Sequence, residues 1–120
     1  MAWSFDKHTP VFVQIAERIR ADIISGVYPP SSQIPSVRQL ALTAAVNPNT
    51  VQHALTALEA EGLIYSESTS GRFVKDNLEL IHKAKREAAQ KLIMEFLRKA
   101  QELSITKEEL IEMIKEEESV

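Results

Sequence analysis

The stretch from Ile34 to Glu61 reads IPSVRQLALTAAVNPNTVQHALTALEAE, and its punctuation divides it into two short helices. Ser36 and Gln39 are spaced as a capping box, in which each side chain satisfies a backbone donor left free at the helix start. Val37, Leu40 and Ala41 then face inward. The pattern lapses from Thr43 to Val46, and Asn47 followed by Pro48 restarts a helix with a good cap and a good first residue. Val51, Ala54, Leu55 and Leu58 supply the buried stripe of this second helix, leaving Asn49, Thr50, Gln52, His53 and Thr56 on a polar outer side. Two helices joined by so few residues must cross steeply, which is the helix-turn-helix arrangement. The second helix can then stand out from the body and enter a DNA major groove.

Upstream, Thr9 can cap and Pro10 can open a first helix, along which Phe12, Ile15, Ile19 and Ile23 recur at helical spacing before Gly26 permits a left-handed cap. Pro29 and Pro30 prevent its continuation and lead into a short extended pair, Gln33 and Ile34. Downstream, Gly62 stops the second helix of the pair. Leu63 to Ser66 and Arg72 to Val74 are β-prone runs separated by small polar residues and Gly71, the pattern of a hairpin. Helix, strand, helix, helix, hairpin is the order of a winged helix-turn-helix domain.

After Asp76 the chain changes character. Leu78, Ile81, Ala84, Ala88, Leu92, Phe96, Ala100 and Leu103 keep helical spacing for longer than the small winged domain requires. Thr106 and Glu109 form another capping box, and Leu110, Ile111, Met113 and Ile114 give a shorter helix that can fold back on the long one. The expected fold is mainly α with a small β-hairpin. Residues 1–76 form a winged helix-turn-helix domain, and residues 77–120 a helical hairpin for dimerisation. The latter is too short to bury its own apolar face. A second copy is its natural partner, through Ile81, Ala88, Leu92, Phe96, Leu103, Leu110 and Ile114.

Composition narrows the function. The 120 residues are 44% hydrophobic, enough for a core, and contain no cysteine, which removes disulfides and thiolate chemistry together. No nucleophile stands beside a base, no glycine-rich loop could cradle a phosphate, and His8, His53 and His82 are too scattered to hold a metal. No enzyme activity, cofactor or metal is expected. No apolar run approaches the roughly 20 residues that cross a bilayer, and the N-terminus lacks signal-peptide order, so a cytoplasmic location is expected. Residues 1–76 carry six Lys+Arg against seven Asp+Glu, a net of −1, and residues 77–120 carry eight against ten, a net of −2. Nucleic-acid-binding domains are usually basic, so any DNA contact here must rely on local placement of charge.

Four segments carry a family resemblance: Pro10-Val11-Phe12-Val13-Gln14-Ile15, Ile34-Pro35-Ser36-Val37-Arg38-Gln39-Leu40-Ala41, Val46-Asn47-Pro48-Asn49-Thr50-Val51, and Leu58-Glu59-Ala60-Glu61-Gly62-Leu63-Ile64. Their types and order resemble the GntR family of bacterial transcription regulators, and the Asn-Pro-Asn-Thr form with the short C-terminal part resembles its YtrA subfamily. The resemblance implies that Arg38, after the Pro-Ser pair that includes Ser36, contacts DNA, and that Asn47, Asn49 and Thr50 meet phosphates and base edges. A guanidinium fork fits phosphate oxygens or guanine O6 and N7, and free N–H groups at a helix start suit a phosphate. Gln52 and His53 are candidates for base reading or for idle surface. Gly71 corresponds to the family's wing glycine, which permits close approach to the minor groove.

Three departures from the family pattern bear on the turn and the wing. Ser31 and Ala45 stand where the family usually has glycine, so the turn between the two helices either carries strain of about 1 kcal/mol or adopts another shape. The wing residues Glu67, Ser68, Thr69 and Ser70 lack positive charge, and Arg72 replaces a usual threonine, so Arg72 is a candidate to supply the wing's phosphate contact. The resemblance implies a dimeric, sequence-specific regulator, most often a repressor, on a palindromic DNA operator. By analogy with larger relatives it also implies a small-molecule effector of unknown identity. The alternative is a winged-helix module that binds protein, motivated by the acidic balance and the uncharged wing, which loss of salt-dependent duplex binding would favour.

Overall fold

A computed structural model describes residues 3–118 of the chain. Five helices and one hairpin follow in order: α1 (Val11–Ile24), α2 (Val37–Ala44), α3 (Pro48–Ala60), β1 (Ile64–Glu67), β2 (Gly71–Val74), α4 (Leu78–Glu102) and α5 (Lys107–Glu116). The contacts divide the chain into two compact units, with the division between Ala84 and Lys85, inside α4.

The core of the first unit is the apolar stripe of each element turned inward. Ile15, Ile19 and Ile23 of α1 join Leu40 and Ala41 of α2, and Val51, Ala54, Leu55 and Leu58 of α3. Ile34, Leu63, Ile64 and Val74 extend the cluster beneath the hairpin, and Ile81 and Ala84 add the first turns of α4. Burial of this kind contributes about 1.5–3 kcal/mol per large side chain, against the entropy of ordering it. Phe12 is only partly buried at the edge of the cluster, because it stacks outward on His53.

Local chemistry sets the helix ends. Both halves of the Ser36–Gln39 capping box are present at α2: Gln39 N–H donates to Ser36 Oγ at 3.1 Å and Ser36 N–H to Gln39 Oε1 at 2.9 Å. The same device opens α5 through Thr106 and Glu109. At α1 the expected cap moves by one residue: Pro10 is the cap, without a side-chain bond, and Thr9 instead gives its carbonyl to Gln14 Nε2 at 2.7 Å. Asn77, which sequence reasoning passed over, caps α4 by accepting from Leu80 N–H at 3.1 Å.

Ala45 adopts φ 59° and ψ 50° at the end of α2, and Ser31 adopts φ 68°. The turn therefore keeps the left-handed geometry that glycine would supply, and the strained option is the one realised. The bond from Val46 N–H to Ala41 O, 3.1 Å long, closes the helix end around Ala45.

β1 and β2 pair antiparallel, with Ile64 opposite Val74, Tyr65 opposite Phe73, Ser66 opposite Arg72 and Glu67 opposite Gly71. Gln33 bridges to Phe73, and Ile34 N–H donates to Arg72 O at 3.0 Å, so the expected extended pair lies along the hairpin's outer edge. In the second unit α4 runs on to Glu102, and Ser104 at φ 58° turns the chain into α5. Ala100 and Leu110 are buried there, while Leu92, Ile93, Met94, Phe96, Leu103, Met113 and Ile114 are exposed.

Candidate nucleic-acid interface

The start of α2 and the first turns of α3 carry most of the candidate reading residues. Ser36 and Arg38 sit on the first turn of α2, and Asn47, Asn49, Thr50 and Gln52 lie at the cap and first turns of α3. All are exposed except Thr50, which is half-buried. The capping box holds Ser36 Oγ in place as an acceptor, while its hydroxyl proton stays available to donate.

The arginines of the first unit differ sharply in what they already hold. Arg18 lies over the Trp3 ring at 4.4 Å, Arg20 forms a two-pronged pair with Glu61, and Arg72 is paired with Glu59 at 2.5 Å. Arg38 is exposed and makes no hydrogen bond or ion pair with the described residues. A guanidinium left with five unpaired donors at the surface is suited to a phosphate or a guanine edge.

Three expectations change once the geometry is present. The first N–H groups of α3 itself are already engaged: Pro48 has none, Asn49 N–H donates to Asn47 Oδ1 at 2.8 Å, and Thr50 and Val51 N–H both donate to Asn47 O. Asn47 acts as the cap and takes up those donors, which leaves a phosphate the Asn47 N–H and the side chains. His53 stacks on Phe12 with ring centroids 3.7 Å apart and planes 10° from parallel. That contact sets the ring against Phe12 of α1 while leaving His53 exposed beside Gln52.

The third change concerns the wing. Arg72 is not a free cation, because its Nε–H donates to Glu59 Oε1, which also accepts from Ser66 Oγ at 2.8 Å. The Arg72 hydrogen bond, helped by that of Ser66, holds the Glu59 carboxyl below the usual carboxylate range. Gly71 adopts φ +110°, and a Cβ there would lie 2.7 Å from Gln33 Nε2. The positive φ favours glycine here, and a side chain would also push aside the Gln33 amide, whatever approaches from outside. Gln33 Nε2 in turn donates to Ser70 O at 2.6 Å. Neither Glu59 nor Gln33 carries a local sequence signal for these roles, since only the folded hairpin brings Ser66, Ser70 and Arg72 to them.

The apolar residues expected to pair two copies separate into two groups. Ile81 is buried in the first unit, because the opening turns of α4 complete the winged core, and Leu110 is buried within the second unit. Neither offers a surface. Ala88 is half-buried, and Leu92, Phe96, Leu103 and Ile114 are exposed, with Leu92 at 67% and Leu103 at 73%. An open groove of about 600 Å³ beside the turn of the hairpin is lined by residues including Met94, Leu97, Arg98 and Ile105. No described helix is long and apolar enough to cross a membrane.

Comparison with known proteins gives the arrangement its context. Residues 12–74 match the family described as bacterial regulatory proteins, gntR family. The chain is 31% identical over 111 residues to the uncharacterized HTH-type transcriptional regulator YhcF of Bacillus subtilis, covering 92% of each. It is 36% identical over 69 residues to the HTH-type transcriptional repressor YtrA of the same organism, spanning 58% of this chain and 53% of that one. Among solved structures, a GntR family transcriptional regulator from Listeria monocytogenes superposes with a TM-score of 0.85 at 32% identity, over 95% of this chain and 100% of that one. The DNA-binding domain of AraR, solved in complex with operator ORX1, superposes with a TM-score of 0.56 at 29% identity, over 59% of this chain and 92% of that one. With the family match spanning residues 12–74 and the likeness to YhcF running over nearly its whole length, this chain belongs to the GntR family of bacterial regulatory proteins.

Proposed function

We propose that this chain is a sequence-specific DNA-binding regulator of transcription that binds a palindromic operator as a homodimer and represses by occupying it. The observation that carries the reading is Arg38, the one arginine of the first unit's described residues that holds no partner, beside Ser36 and the exposed face of Asn47, Asn49 and Gln52. The likeness to a domain solved in complex with an operator supports DNA binding by this chain. The name of YtrA supports repression.

Homodimerisation is supported by the second unit's composition. A helical hairpin that buries Ala100 and Leu110 yet exposes Leu92, Ile93, Met94, Phe96 and Leu103 has more apolar surface than a small monomeric unit ordinarily shows to water. A two-fold pair then favours two-fold symmetric half-sites. Control by a small-molecule effector rests on family likeness alone, and the groove lined by Met94, Leu97 and Arg98 is where such a ligand would be sought. Residues 77–120 are assigned to dimerisation, apart from those buried in the winged core.

Selection of operator sequences from a random duplex pool tests the reading. Enrichment of a two-fold motif, with sedimentation of the free protein as a dimer, supports it. No enrichment, with no salt-dependent duplex binding, refutes it in favour of a protein-binding module.

A further inference from the structure

We propose that Glu59 is a positioning residue for DNA recognition, holding Arg72 and Ser66 so that the wing is fixed against the recognition helix, with Arg72 committed to that tie and not to phosphate. The inference rests on the DNA-binding reading and deepens it. A two-stranded hairpin is marginal by itself in water, so tertiary ties must settle where it points. Glu59 supplies one from the last turn of α3. Its Oε1 accepts from Arg72 Nε at 2.5 Å and from Ser66 Oγ at 2.8 Å. Ser66 and Arg72 face each other across the hairpin, so a single carboxylate oxygen grips both strands at one rung.

A second tie lies nearer the tip, where Gln33 Nε2 donates to Ser70 O at 2.6 Å through the space that Gly71 leaves open. The two ties act on different parts of the ribbon. Glu59 joins the inner rung to α3, and Gln33 joins the turn to the segment before α2. Side-chain exposures of 20% for Arg72 and 31% for Glu59 shield the pair partly from water, which makes it a stronger constraint than an ordinary surface ion pair.

Charge gives the proposal a sign that its rival lacks. If Arg72 were a phosphate contact restrained by Glu59, removing the carboxylate would free the cation and tighten DNA binding. If Glu59 holds the wing in place, its removal weakens binding, although the protein loses a negative charge. The salt dependence separates the same two cases, since loss of a phosphate contact lowers the slope by about one per subunit.

The test uses the full chain and the duplex obtained by selection, titrated from low to physiological salt. Glu59→Gln and Arg72→Gln are each expected to weaken binding about three- to tenfold with unchanged salt slope, and the double variant to be no weaker than either single one. Tighter binding by Glu59→Gln, a slope lowered by about one per subunit in Arg72→Gln, or additive losses would each overturn the proposal. Amide exchange of the free protein supplies a readout without DNA. Exchange from Ser66 to Phe73 is expected to quicken in Glu59→Gln while α1 stays protected, and an unchanged wing would refute the tie. Absence of duplex binding by the unaltered chain would refute the DNA-binding reading, and with it the positioning role.

Discussion

Replacing Ala45 by glycine is expected to stabilise the first unit, although it removes a methyl group and adds backbone freedom. Ala45 lies at φ 59°, ψ 50°, where an L residue with a Cβ suffers a repulsion of about 1–2 kcal/mol that glycine escapes. Glycine also raises the entropy of the unfolded chain, an opposing effect of about 0.4–1 kcal/mol. The residue is exposed, so no packing is lost with the methyl. The backbone bond from Ala45 N–H to Ala41 O needs no side chain and persists. The net gain is about 0.5–1 kcal/mol, and at roughly 4–8 °C per kcal/mol for a domain of this size the midpoint of thermal unfolding should rise by about 2–8 °C. Ala45→Val supplies the opposite arm, because a β-branched side chain tolerates this region worse than alanine and should lower the midpoint. Calorimetry on the three proteins at one concentration is the assay. A glycine variant no more stable than the parent, together with a valine variant equally stable, would show that residue 45 is not left-handed in solution.

Four further outcomes follow from the site and the helical hairpin. Arg38→Ala should weaken operator binding tenfold or more with the unfolding midpoint unchanged, since its guanidinium makes no bond within the described fold; a fall in both together would reassign it to structure. Gln52→Ala should alter which base is preferred at one position of each half-site, measured by repeating the selection, and an unaltered motif would remove it from the reading set. Phe96→Glu, on a residue 49% exposed, should give a monomer by sedimentation with the helical signal retained, and a persistent dimer would exclude this part of the α4 face from the interface. The Glu59 carboxyl is held low by Arg72, so the tie's contribution to stability is present above the unfolded-state value near 4.3 and is lost as pH falls through the lower folded one. The Glu59 carboxyl, followed through the NMR shift of the Arg72 Nε proton it binds, should therefore titrate with a midpoint below the ordinary glutamate value, and a midpoint at or above it would remove the ionic tie.

Much of the fold was legible because its signals are local. The capping boxes at Ser36–Gln39 and Thr106–Glu109 depend on residues three apart, and both form as spaced. The inward stripe of α3, Val51, Ala54, Leu55 and Leu58, is fully buried because helical periodicity alone places those residues on one face. Ala45 shows where local preference yields: the glycine rule for a left-handed cap is broken because the α2–α3 crossing and the buried residues on either side, Ala44 and Val51, demand that turn.

By itself the sequence determined the number, order and inward faces of the helices, the position of the hairpin and the turn of α3 outward with Asn49 and Gln52. Each follows from spacings of two to four residues that any local segment expresses. Tertiary structure alone decided which polar side chains remain available. Arg72, Arg20 and Arg38 look alike in the chain, but Glu59 and Glu61 engage the first two and nothing described engages the third. His53 likewise turns to Phe12, 41 positions away by number, and Ile81 to the winged core. The physical reason is that a charge or a ring is committed by whatever lies within about 4 Å of it, and that neighbour is fixed by packing between elements distant in sequence.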